Sequence, residues 1–222
     1  MNDLIDFIDS ELKSVADPLK AREMKAYMKD IAPFYGVPAP IRKSISQGLW
    51  SEFSSKIKPN WRELCVDLWL KEERECQYIA QDLMQKFKSK LIVEDIELIE
   101  RLITTKSWWD TVDFLAANMV GSYFLKFPDN KTIYIDRWST SDNIWLVRSS
   151  IIFQLKYKEK TDFNLIKKII LSYTESKEFF INKAGGWALR QHSKLFPEEV
   201  HKFLDENEDL PNLVVREASK YL

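Results

Sequence analysis

The run Ser107-Trp108-Trp109-Asp110-Thr111-Val112-Asp113 sets an indole and a carboxylate four residues apart. If the segment is helical, Trp109 and Asp113 stand one above the other on a single face. The apolar residues Val112, Leu115, Ala116, Met119, Val120 and Tyr123 form their own stripe at helical spacing, so the core belongs to a different face. Trp109 and Asp113 are therefore expected away from the core. An aromatic face and an anion both favour positive charge, so the pair suits something electron-poor.

The elements that must carry this pair are helices. Only 5 Gly and 8 Pro occur in 222 residues, too few turn signals for an all-β chain, while long Glu/Lys/Leu/Ile-rich stretches favour helix. The pattern predicts helices at about 2–14, 18–32, 39–54, 59–70, 73–89, 93–105, 108–126, 130–139, 143–158, 161–174, 178–195, 197–206 and 211–221. Asp17-Pro18, Lys58-Pro59 and Phe196-Pro197 place proline near helix starts. With 45% hydrophobic residues and no long linker, the chain is expected to form one domain, 1–222.

Helix starts at 73, 108, 143 and 178 recur every 35 residues, each long helix being followed by a second before the next begins. Periods of about 33–47 residues are those of α-solenoids, which stack helix pairs and acquire a concave side. Asp113, Arg148 and Lys183 fall in register at that period, and Trp187 and Arg190 follow Lys183 on its helical face. The row so read holds Trp109, Asp113, Arg148, Lys183, Trp187 and Arg190: aromatic walls, one anion and three cations.

Charge is uneven along the chain. Residues 126–195 carry 13 Lys/Arg against 7 Asp/Glu, although the whole has a net charge of −1. A local anion-binding surface fits this better than a strongly basic nucleic-acid binder does, and a solvated helical face is the plainer reading. Cys65 and Cys76 lack metal-ligand or redox spacing and read as buried thiols in a reducing compartment. The acidic start, with Asp3, Asp6, Asp9 and Glu11, is wrong for a secretory leader, and no apolar run approaches membrane-spanning length. A cytoplasmic monomer without a membrane association is the expectation. His192 and His201 have no metal-ligand spacing, and no Walker or dinucleotide-binding motif is present, so no metal and no cofactor is expected.

Two further passages, Asn143-Ile-Trp-Leu-Val-Arg148-Ser-Ser-Ile-Ile152 and Asn182-Lys-Ala-Gly-Gly-Trp187-Ala-Leu-Arg190-Gln191, together with 107–113, resemble the signature helices of the bacterial DNA alkylation repair glycosylases built from HEAT-like repeats. Met24-Lys-Ala-Tyr27-Met28-Lys29 and Phe34-Tyr-Gly-Val-Pro-Ala-Pro-Ile-Arg42 resemble that family's opening helices and loop. The resemblance implies an all-α solenoid with a concave DNA-binding face. It also implies hydrolysis of the N-glycosidic bond of purines made cationic by alkylation, in double-stranded DNA, with the lesion left largely in the duplex. Carried over, Trp109, Trp187 and Asp113 would face the damaged nucleotide's sugar and Arg148 would hold nearby phosphate. Tyr27, Lys156 and Arg190 match less decisive positions, and Lys183 joins them as a DNA contact.

Other readings stand beside this one. Trp109 and Trp187 could be packing residues, and Asp113 could be a structural ion-pair partner of Arg148. Lys183 could form a Schiff base with an abasic sugar. Trp50, Trp61, Trp69, Trp138 and Trp145 read as core. The whole could instead be a non-catalytic module binding distorted or branched DNA, or a helical scaffold for another protein.

Overall fold

The computed structural model describes residues 2–222, with side chains from residue 3 onward, and is all-helical with no strand among the described residues. Fourteen α-helices follow one another among these residues: α1 (Asn2–Ser14), α2 (Pro18–Tyr27), α3 (Ala39–Glu52), α4 (Ser54–Leu70), α5 (Arg74–Phe87), α6 (Asp95–Thr104), α7 (Trp109–Phe114), α8 (Gly121–Lys126), α9 (Asn130–Ser139), α10 (Ile144–Ile152), α11 (Phe163–Leu171), α12 (Phe179–Ser193), α13 (Pro197–Asp205) and α14 (Asn212–Ala218). They fall into two compact units, residues 1–111 and 112–222, the division lying inside α7.

In the first unit, α1 buries Leu4, Ile8 and Leu12, and α4 and α5 pack Trp61, Leu64, Leu68, Trp69, Ile79 and Leu83 into the core. Asp17 caps α2, its carboxylate accepting from the Leu19 and Lys20 N–H groups, with Pro18 in the first turn where a missing N–H costs nothing. Pro59 stands next to a break between two helical stretches, so the helix start read from the sequence falls close to the second of them. The helix already runs from Ser54 and kinks at Asn60 (φ −118°, ψ 17°), where the Asn60 amide donates to the Lys56 carbonyl at 3.1 Å. Buried Glu75 of α5 accepts the N–H groups of Tyr35, Gly36 and Val37 at 3.1, 2.9 and 3.0 Å, tying down the loop after α2. Gly36 sits there at φ +84°, with the Asp17 carbonyl where a Cβ would be.

In the second unit, the apolar stripe read from the sequence is fully buried from Val112 to Tyr123. Its helix is not uniformly α. Between α7 and α8, Leu115–Val120 is π-helical, a widening that frees one backbone acceptor, and the Asn118 amide donates to the Phe114 carbonyl at 2.9 Å. α10 ends at Ile152 rather than at 158, and the chain turns there. Gly121 lets this turn approach, since a Cβ would lie 2.5 Å from the Phe153 carbonyl, and the Tyr157 hydroxyl donates to the Gly121 carbonyl at 2.7 Å. All five tryptophans assigned to packing, and both cysteines, are buried.

Side-chain links between helix pairs keep nearly the period of the sequence. In the first unit Arg62 meets Asp95, Trp69 Nε1 donates to the Thr105 carbonyl and Arg74 meets Asp110, across 33, 36 and 36 residues. In the second, Arg148 meets Asp113 and Tyr173 donates to the Ser139 carbonyl, across 35 and 34.

Candidate active site

Trp109 opens α7, and the first unit fixes that opening. Arg74, fully buried, donates to both carboxylate oxygens of Asp110 at 2.9 and 2.5 Å, to Thr111 Oγ1 at 2.9 Å and to the Lys106 carbonyl at 2.7 Å; Gln77 also accepts from it. The Tyr78 hydroxyl adds a bond to Asp110 at 2.6 Å, and burial with the neighbouring Asp110 charge pushes that phenol well above its ordinary range. Lys106 holds the bend before the helix at φ +50°, its ammonium donating to the Leu70 carbonyl at the end of α4 at 2.9 Å and to the Lys71 carbonyl just beyond it at 2.5 Å. Trp109 emerges half-buried from this framework. Tyr27, at the end of α2 and 71% exposed, meets it edge to face at 6.0 Å between ring centres.

The second unit carries Asp113, Arg148, Lys156, Lys183, Trp187 and Arg190. Asp113 and Arg148 are brought together: Nε and Nη2 of the guanidinium donate to the two carboxylate oxygens at 2.6 and 2.8 Å, and Nη1 donates to the Phe180 carbonyl at 2.7 Å. This is a bidentate, charge-assisted pair. Arg148 is 4% exposed at its side chain and Asp113 17%, so the guanidinium holds the carboxylate from the buried side. Arg148, which the sequence directs at phosphate, thus commits each of its guanidinium nitrogens within the protein.

Lys183, Trp187 and Arg190 lie on α12, with Trp187 half-buried. The two cations do not join Asp113. Both reach buried Glu217 of α14, Lys183 Nζ at 2.7 Å and Arg190 Nη1 at 2.5 Å, and Lys220 Nζ joins them at 2.8 Å. Burial would raise the Glu217 pKa, but hydrogen bonds from Lys183, Lys220 and Arg190 overcome it and hold the group at about 2. Gly185-Gly186 makes this meeting possible: a Cβ on Gly186 would stand 2.5 Å from the Glu217 Cβ and 2.8 Å from the Val214 carbonyl, so α14 lies directly on α12. Lys156, exposed, donates to Asn118 Oδ1 at 2.5 Å.

Sequence reasoning missed Arg74, Asp110, Glu217 and Asn118. The first two carried a signal, because 74 and 110 are separated by nearly the period that put Asp113 and Arg148 in register. Glu217 carried none: it sits in a segment whose charge is acidic overall, and only the glycine pair hints that a helix must come close. No group of three or more His, Cys, Asp or Glu is placed to hold a metal ion among the described residues. Nor is any helix among them long and apolar enough to cross a membrane.

Comparison with known proteins places the chain. The family model described as DNA alkylation repair enzyme matches residues 8–222. A predicted DNA alkylation repair enzyme from Enterococcus faecalis is similar at 35% identity and a TM-score of 0.85, over 93% of this chain and 96% of that one. AlkD2 from Streptococcus mutans shares the fold at 20% identity and a TM-score of 0.60, over 81% of this chain and 89% of that one. No curated protein matches in sequence.

Proposed function

This chain belongs to the DNA alkylation repair enzyme family, and we propose that it is a monofunctional DNA glycosylase that hydrolyses the N-glycosidic bond of cationic alkylated purines, 3-methyladenine and 7-methylguanine, in double-stranded DNA. The observation that carries the reading is Asp113, a carboxylate fixed on both oxygens by Arg148 and 17% exposed. A purine alkylated at N3 or N7 takes the bonding electron pair and leaves as a neutral base, so no proton need be supplied to it. Positive charge then develops on the sugar, as in other glycoside hydrolysis. Asp113 stabilises that charge and orients the water that adds to C1′, accepting the proton the water loses. Trp109 and Trp187 present indole faces to the electron-poor sugar, each contributing roughly 0.5–2 kcal/mol. Arg148 braces Asp113 and reaches a phosphate only with the Nη hydrogens that Asp113 and Phe180 leave. Tyr27 and Lys156, both exposed, contact the DNA, as do Lys183 and Arg190. The protein works as a monomer in the cytoplasm on this reading.

The deciding experiment incubates the protein with methylated duplex DNA and separates the released bases by chromatography. Free 3-methyladenine and 7-methylguanine are expected, with the strand left intact at the abasic sites. A protein that retains the duplex but releases neither base would be a DNA-binding module instead. Strand cleavage at the abasic sites would assign Lys183 a lyase step.

A further inference from the structure

Glu217 receives three cations, and three against one carboxylate leave two positive charges uncompensated. The side chains of Lys183 and Lys220 remain 34% and 47% exposed, whereas Glu217 is 3% exposed. The anion is therefore an internal brace and the cations face outward. Each ammonium uses one of its three donors on Glu217, and none of the three cations has another charged partner among the described residues. Holding flexible cations this way removes much of the ordering cost that an anionic ligand would otherwise meet.

We infer that Lys183, Arg190 and Lys220, braced by Glu217, form one binding site for a phosphodiester of the DNA backbone, and that Lys220 is a DNA contact in its own right. The inference rests on the reading of the protein as a DNA-binding repair enzyme. A backbone phosphate fits because it carries a single negative charge on two accessible oxygens, matched by converging N–H donors. The site lies on the helix that bears Trp187, with Lys183 and Arg190 one turn before and one turn after it. A phosphate held there fixes the register of the strand relative to that indole and carries no sequence information.

The test measures equilibrium binding to undamaged duplex across a salt series for the wild type, Lys220→Ala, Lys183→Ala/Lys220→Ala and Lys202→Ala. Lys202 is a control for general charge loss, since it is equally cationic but exposed and paired with Glu206 on α13. Removing Lys220 should weaken binding and flatten the slope of log K against log salt, and the double variant should flatten it further, towards the full value of about 0.9 that one phosphate contact contributes. The control should bind as the wild type does. A slope unchanged in Lys220→Ala, or changed no more than in Lys202→Ala, overturns the inference. Base release is scored separately: the expected slopes in a protein that excises nothing would leave this site standing and remove the glycosylase reading, and excision with unaltered slopes would do the reverse.

Discussion

Asp113 gives both carboxylate oxygens to one buried guanidinium, so its position is set before any substrate arrives. That arrangement separates charge from shape. Asp113→Asn keeps the size of the side chain and one accepting oxygen while deleting the charge that, in the proposed reaction, matters when the sugar becomes positive. Single-turnover excision on a lesion-bearing duplex should fall on the order of 10²-fold, about 2.7 kcal/mol, as for other preorganised electrostatic groups. DNA affinity should stay level or rise, because an anion facing a polyanion opposes binding. Equal excision rates would remove Asp113 from the chemistry. Arg148→Ala should cost at least as much excision, through the loosened carboxylate. Its salt slope should move by less than one phosphate contact, since the guanidinium is already committed to Asp113 and Phe180. A slope flattened by a full contact would make Arg148 the phosphate grip that the sequence suggests.

Helix α14 lies against α12 on the side that carries Lys183 and Arg190, and Gly186, between those two residues, is a point of close approach. Gly186→Ala would place a Cβ 2.5 Å from the Glu217 Cβ and 2.8 Å from a backbone carbonyl, neither of which is a flexible side-chain end. Overpacking of this kind costs about 1–3 kcal/mol, and a fall in the urea midpoint of Gly186→Ala would register it. An unchanged midpoint would mean that the two helices slide apart freely. The helices themselves were readable because amphipathic periodicity is a local property: the stripe from Val112 to Tyr123 names the buried residues correctly. The π-helical widening inside it was not readable, since it conserves the apolar stripe while changing the hydrogen-bond register. The Asp113–Arg148 pair was visible as a register of 35 residues, and its bidentate geometry was not. Glu217 stayed hidden because its partners, Lys183, Arg190 and Lys220, are assembled by helix packing rather than by spacing.

Across the whole chain a net charge of −1 conceals local concentrations of charge, and Glu217 with its three cations is the sharpest of them. Its effect on stability has a definite sign. Folded Glu217 titrates at about 2 against an ordinary value of 4.5: burial alone would raise it, and the bonds from Lys183, Lys220 and Arg190 bring it down. Below 4.5 the unfolded chain takes up a proton at this position that the folded chain still refuses, so protons favour unfolding. The stabilisation is complete above about 4.5 and is lost as the pH falls towards 2. Glu217→Gln cannot titrate, and it leaves the three cations facing a neutral amide at every pH. The variant should be less stable than the wild type at pH 7, and the gap should narrow steadily between pH 4.5 and pH 2 as the wild type loses its charged brace. Urea midpoints of both proteins, measured at half-unit steps through that window, provide the check. Parallel curves, with the same gap at every pH, would mean that Glu217 is not held charged by its three partners.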